Sequence, residues 1–171
     1  MLIVMAGLPG TGKTTLATEL AAQTAGAMVS KDRIRHAMFS EADIEYSTEQ
    51  DDVCMGVMIA TAEYLLRKNP HRRVFLDGRT FSRRYQIDRV IEAADELHQP
   101  WRILECVCSD EAERERLSIQ GQTGGHQARN RDFELYLRVK ARFEKITLPK
   151  TVIDTDRPFE ECVRKALTAI A

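Results

Sequence analysis

Short apolar runs alternate along the chain with longer segments whose hydrophobic residues recur at helical spacing. Leu2-Ile3-Val4-Met5-Ala6 has no polar position, as expected of a strand buried on both faces. A glycine-rich turn and a helix to about Thr24 follow it. Ala27-Met28-Val29-Ser30 predicts a second strand, and Asp32 to Phe39 a short helix. Ser47-Thr48-Glu49-Gln50 has capping-box spacing and opens a long helix to about Asn69, where Pro70 stops it. Val74-Phe75-Leu76-Asp77 is the third strand, followed by a helix from about Ser82 to His98. Arg102 to Cys108 is the fourth strand, and Ser109-Asp110 opens the next helix. Gly121 to Asn130 is polar and glycine-containing, hence a loop, before a helix to about Ile146. Thr151-Val152-Ile153-Asp154 is a fifth strand, and Pro158 sits near the start of the last helix.

Alternation of this kind predicts an α/β protein with a parallel sheet covered on both faces. No composition break or internal repeat divides the 171 residues, so one domain over 1–171 is expected.

The 25 Lys and Arg nearly balance 26 Asp and Glu, for a formal net charge of −1. That balance argues against a surface that is one electrostatic footprint for nucleic acid or anionic lipid. It hides local asymmetry. Residues 41–52 hold six acids and no base, while residues 67–89 hold eight bases against Asp77 and Asp88. Such runs are usually solvated faces. The sharper reading is that Arg79, Arg83 and Arg84 line the pocket of an anionic acceptor. The acids would instead suit a polyol or an amine-bearing one.

Cys54, Cys106, Cys108 and Cys162 form no CxxC pair or zinc spacing. Cys106 and Cys108 would share one face of the fourth strand as small hydrophobes. The N-terminus lacks a signal-peptide pattern, and no apolar run approaches the roughly 18 residues of a membrane span. A cytoplasmic protein with no membrane partner is expected.

Gly7-Leu8-Pro9-Gly10-Thr11-Gly12-Lys13-Thr14 matches G-x-x-x-x-G-K-[ST] in full, after a predicted strand and before a predicted helix. Glycines let the backbone wrap a polyphosphate with its N–H groups inward, and the helix N-terminus favours the anion. A lysine at a helix start is disfavoured by the dipole unless an anion sits there. Lys13 would meet the β- and γ-phosphates, Thr14 would ligate Mg²⁺, and Thr15 would extend the ATP-binding stretch. Asp77, ending an apolar strand at the same sheet edge, would hold the ion through water. A hydroxyl attacking a γ-phosphate needs a carboxylate to orient it and take its proton, and Asp32 is the candidate. An Asp there also suits a helix cap, and the two roles are compatible.

Gly7–Thr14, Asp32-x-x-Arg35 and Asp77-Gly78-Arg79-Thr80-Phe81, in that order, resemble a bacterial family of small P-loop kinases, AAA-type or zeta-toxin-like. Its relatives include the kinase domain of polynucleotide kinase, chloramphenicol phosphotransferase and gluconate kinase. The resemblance also takes in Asp132 to Glu144 and Val152-Ile153-Asp154-Thr155. It implies an adenylate-kinase-like three-layer sandwich with a five-stranded parallel sheet and a helical lid over about 114–135. It further implies Mg·ATP as donor and a hydroxyl as acceptor. By position Asp32 looks like the family's catalytic carboxylate, Arg35 like its acceptor-binding arginine and Asp77 like its Mg-water residue. The lid departs from the pattern: Glu115-Arg116-Leu117-Ser118-Ile119-Gln120-Gly121-Gln122 carries glutamines where arginine is expected. Arg129 and Arg131 are the catalytic lid candidates, with Arg116 a further one that would contact ATP. Arg157, in the loop after the last strand, lies where relatives meet the base.

Three activities fit these residues. The first is transfer of the γ-phosphate to a small-molecule hydroxyl on a sugar, nucleoside, antibiotic or similar compound. A 5′-hydroxyl polynucleotide kinase is the second, and would want a positive channel that only residues 67–89 offer. The third is a nucleotide-binding regulator, which needs no carboxylate at Asp32.

Overall fold

The computed structural model describes residues 1–123, 137 and 139–171. Its centre is a five-stranded parallel sheet ordered β2-β3-β1-β4-β5. The strands are β1 (Leu2–Ala6), β2 (Ala27–Ser30), β3 (Val74–Asp77), β4 (Trp101–Val107) and β5 (Thr151–Asp154). Between and after them lie α1 (Lys13–Gln23), α2 (Lys31–Met38), α3 (Thr48–Lys68), α4 (Arg84–Glu96), α5 (Asp110–Thr123) and α6 (Phe159–Ala169).

The two-residue period of β1 divides the core. Ile3 and Met5 pack with Leu16, Ala17 and Leu20 of α1 and Val163 and Ala166 of α6. Leu2, Val4 and Ala6 face Met55, Met58 and Ala62 of α3 and Ile87, Val90 and Ala94 of α4. Both faces are therefore covered, which is why the strands read as unbroken apolar runs. β1 pairs with β3 through Leu2↔Val74, Ile3↔Phe75 and Val4↔Leu76. The connection leaving β1 crosses one face through α1, and that leaving β3 crosses the other through α4. Adjacent parallel strands with opposed exits open a crevice beyond their C-terminal ends.

Several expectations are corrected. α2 begins at Lys31, and its N-cap is Ser30, whose hydroxyl accepts the Arg33 N–H at 3.5 Å. Asp32 thus stands in the first turn rather than at the cap. At α3 half of the expected capping box forms: Ser47 Oγ accepts the Gln50 N–H at 3.2 Å. The Gln50 side chain turns away, accepting the Glu45 N–H at 2.9 Å and donating to Asp43 O at 2.9 Å. β4 ends at Val107, which leaves Cys108 in the turn rather than on a shared face with Cys106. α5 continues through Gly121 to Thr123, three residues into the expected loop. The helix expected to reach Ile146 ends at Ala141. Beyond it the chain lies extended on the start of α4, with the Glu144 N–H donating to Ser82 O at 2.9 Å and Ile146 buried in the core.

Candidate active site

The phosphate loop joins β1 to α1 at the crevice. Gly7 has φ 131° and lies so close to β4 that a Cβ would come within 2.3 Å of Cys106 O. Its N–H donates to Thr80 O at 3.1 Å, tying the loop to the β3–α4 turn. Gly12, at φ 79°, caps α1 with no side-chain acceptor, and no acid stands in that helix's first turn. The positive end of α1 therefore faces the loop unopposed. Lys13 is buried, its Nζ donating to Leu8 O at 2.6 Å and lying 3.4 Å from Thr11 Oγ1. Pro9 and Gly10 are also buried, whereas Thr15 is exposed.

Beyond the crevice Thr14 Oγ1 donates to Asp77 Oδ2 at 2.8 Å. The other oxygen of Asp77, Oδ1, is buried with no hydrogen-bond partner among the described residues. One hydroxyl beside one carboxylate with an open oxygen suits Mg²⁺, which keeps several waters and phosphate oxygens in its shell. No group of three His, Cys, Asp or Glu side chains among the described residues forms an all-protein metal cage.

Ser30↔Asp77 pairing sets the start of α2 beside the end of β3. Gly78, at φ 91°, packs against Lys31 and the Asp32 backbone, where a Cβ would come within 3.1 Å. Asp32, Arg35 and Arg79 are all at most 4% exposed. The two arginines are met from α3, by the end of the acidic run. Asp51 Oδ1 accepts from Lys31 Nζ at 2.7 Å and from Arg35 Nη2. Arg35 also reaches Asp32 at 3.5 Å and Gln50 Oε1 at 3.0 Å, with the Tyr46 ring centroid 5.1 Å from its Cζ. Asp52 pairs with Arg79 Nη2 at 2.8 Å and accepts from Tyr85 OH at 3.1 Å. Burial opposes ionisation of Asp51, yet Lys31, Arg35 and Arg79 outweigh it and hold its carboxyl below the usual range.

The basic stretch 67–89 is divided by β3. Arg67, Lys68, Arg72 and Arg73 precede that strand, and Arg79, Arg83, Arg84 and Arg89 follow it. The two halves thus flank opposite ends of that strand. Arg83 is exposed and pairs with Glu144 at 2.8 Å, and Arg84 pairs with Asp88 at 2.7 Å.

On the nucleotide side, Arg116 donates to Thr155 Oγ1 at 2.9 Å and Thr155 O at 2.8 Å. Thr155 is also the neighbour that a Cβ on Gly12 would meet, so this arginine fastens the β5–α6 loop near the end of the phosphate loop. Arg157 is exposed on that loop, 3.7 Å from Asp154. Arg129 and Arg131, with most of the expected lid, lie outside the described residues. Beside Gly7 and Leu8 a cavity of about 380 Å³ opens on the β4 side, bounded by Glu105, Glu113 and Lys140. Cys106, next to it, is a core side chain whose thiol burial pushes up to about 12.

Residues 2–146 match the AAA domain family. This chain belongs to that family. No protein of curated function matches the AAA-domain chain in sequence. Its fold is shared with a Mycobacterium tuberculosis APS kinase solved with AMPPNP and APS, at 13% identity and TM-score 0.73, covering 99% of this chain and 96% of that one. A gluconokinase from Sinorhizobium meliloti 1021 has 16% identity and TM-score 0.70, with 99% and 90% covered. A sugar kinase from Janibacter sp. HTCC2649 has 20% identity and TM-score 0.69, with 99% and 93% covered. At these identities the likeness establishes the P-loop kinase fold of this AAA domain.

Sequence reasoning missed Lys31, Gln50, Asp51, Asp52 and Tyr85 as members of the AAA domain's acid–base wall. The acidic run and the basic stretch were both visible. Their pairing across up to several tens of residues was not, because no local spacing encodes it.

Proposed function

We propose that this protein is an ATP-dependent phosphotransferase that moves the γ-phosphate of Mg·ATP to a hydroxyl of a small-molecule acceptor. The observation that carries the reading is the alignment of three strand ends: the phosphate loop after β1, Asp77 at the end of β3 and Asp32 just past β2. A nucleotide binder has use for the first two. A buried carboxylate beside them supports an acceptor.

In this mechanism the loop N–H groups and Lys13 hold the β- and γ-phosphates. Thr14 and Asp77 would hold the Mg²⁺ that accompanies the nucleotide, an ion that draws charge from the phosphate oxygens. Asp32 orients the acceptor hydroxyl and takes its proton as the new O–P bond forms and the bond to the ADP oxygen breaks. Arg129 or Arg131 would neutralise the transferring group from the lid. Arg116 and Arg157 belong to the nucleotide end, and Arg35, Arg79 and Arg83 to the acceptor side. Of these three, Arg35 is held internally by Asp32, Gln50 and Asp51, which favours support of the wall over direct acceptor contact.

The divided basic stretch does not favour a channel for a polynucleotide. No helix among the described residues is long and apolar enough to cross a membrane. One domain spanning the chain and a cytoplasmic setting accord with this reading.

ATP consumption against a panel of sugars, nucleosides, aminoglycosides and 5′-hydroxyl oligonucleotides tests it. Turnover with a small hydroxyl compound that Asp32→Asn removes is the expected result. Turnover with oligonucleotides alone, falling steeply with salt, would identify a polynucleotide kinase instead. A protein that binds ATP and phosphorylates nothing in the panel would be the regulator.

A further inference from the structure

The solvent side of α3 lacks the charge that such a side normally carries. Cys54, Met55, Met58, Ala62 and Leu66 point inward and are buried. The outward row at helical spacing runs Glu49, Val53, Val57, Ala60, Tyr64 and Lys68, and no residue from Val53 to Ala62 is charged. Val53 is 47% and Tyr64 61% exposed, Ala60 is exposed and Val57 is half-buried. Apolar residues scattered singly over a surface are ordinary, but an unbroken row along one helix gains free energy only when something covers it. The two ends of the row carry opposite charge. Glu49 is exposed in the first turn and Lys68 in the last. Neither forms an ion pair among the described residues, and the Lys68 ammonium rests 5.8 Å from the Tyr64 ring centroid. About 28 Å of helix separates the two charges, too far for them to meet within one chain.

We propose that α3 is the surface through which two copies of this chain associate, antiparallel about a twofold axis midway along the helix. Glu49 of one copy then lies opposite Lys68 of the other, and the reverse. Between those ends Val53 lies opposite Tyr64 and Val57 opposite Ala60, so the row is complementary to itself, as a closed pair requires. A parallel pair would set Glu49 against Glu49 and Lys68 against Lys68, and the charges therefore select the antiparallel arrangement. One helix face is smaller than a standard interface, which makes the dimer a weak, concentration-dependent one. None of these residues belongs to the candidate active site, and the contact stands apart from the phosphotransfer reading.

The test is sedimentation velocity of the full chain from about 1 to 500 μM, which should show a reversible monomer–dimer equilibrium. Ala60→Glu places a charge in the middle of the row on both copies and should raise the dimer Kd at least about tenfold. If that variant unsettles the helix, Tyr64→Ala removes the ring that would pack on Val53 and should give a loss of the same sign. Glu49→Lys and Lys68→Glu, each alone, should raise Kd roughly tenfold, because two attractive contacts per dimer become repulsive. The double variant Glu49→Lys/Lys68→Glu restores both contacts with their signs exchanged and should return to within about threefold of the unaltered protein. Each single change opposes the helix dipole at one end and the double opposes it at both, so recovery in the double reports contact between copies and not helix stability. A chain that stays monomeric throughout overturns the proposal. So does a dimer indifferent to both Ala60→Glu and Tyr64→Ala, or a double variant that associates no more tightly than the singles.

Discussion

The phosphate loop draws its groups from eight consecutive residues, Gly7 to Thr14. The wall beside it takes Lys31, Asp32 and Arg35 from α2, Asp51 and Asp52 from α3, and Arg79 from the β3–α4 turn. In the loop, backbone shape is the device: positive-φ glycines and a helix start with no side-chain cap and no acid in its first turn. In the wall, the device is compensation. Three buried or nearly buried cations are matched by three carboxylates, Asp32 on α2 and Asp51 and Asp52 on α3. The first can be specified locally because every group is within a few bonds of the next. The second exists only when the sheet has brought β2, β3 and α3 together.

The largest expected effect strikes the loop. Lys13→Ala should lower turnover at least about 10³-fold in an ATP-consumption assay, because the phosphates would lose the ammonium proposed to hold them. Asp32→Asn, on the wall, should lower transfer by roughly 10²–10⁴-fold while leaving ATP affinity, measured by calorimetry, within about twofold. Equal loss of ATP affinity would erase the division between the two regions. Arg129→Ala and Arg131→Ala, assayed separately, should show one strong kcat defect. Two silent variants would remove the lid from the mechanism.

Stability sharpens the same comparison. Arg35→Ala should cost about 3 kcal/mol in urea unfolding, since it removes a buried guanidinium and leaves Asp51 and Asp32 to share Lys31. Arg83→Ala removes an exposed pair with Glu144 and should leave unfolding nearly unchanged. The pH dependence follows from Asp51. Its carboxyl is held below the ordinary value of 3.8, so the unfolded chain binds its proton first as pH falls. The stability it contributes is present above about pH 3.8 and lost as pH drops through the lower folded value. Asp51→Asn should flatten that acid limb in chemical-denaturation curves taken across pH 2–5.

Much of the fold was legible because buried parallel strands have to be apolar on both faces, and each of the five runs became a strand. Boundaries were less legible. The helix expected to reach Ile146 stops at Ala141, where packing of Ile146 and the Ser82–Glu144 hydrogen bond outweigh helical periodicity. Gln50 shows the same override, its spacing that of a capping box and its side chain recruited by Arg35 and the Glu45 amide.

Sequence alone determined the phosphate loop, the run of five strands and the acids at the ends of β2 and β3. These depend on short-range sterics, burial period and a motif whose members are neighbours in the chain. Tertiary structure decided which charges meet. The acidic run 41–52 and the basic residues around it appear in sequence as opposed patches that sum to nearly zero. In the fold Asp51 and Asp52 close on Lys31, Arg35 and Arg79, while β3 separates the rest of the basic stretch between its two ends. Coulomb energy depends on distance and burial, and neither is set until the crossovers have chosen the strand order.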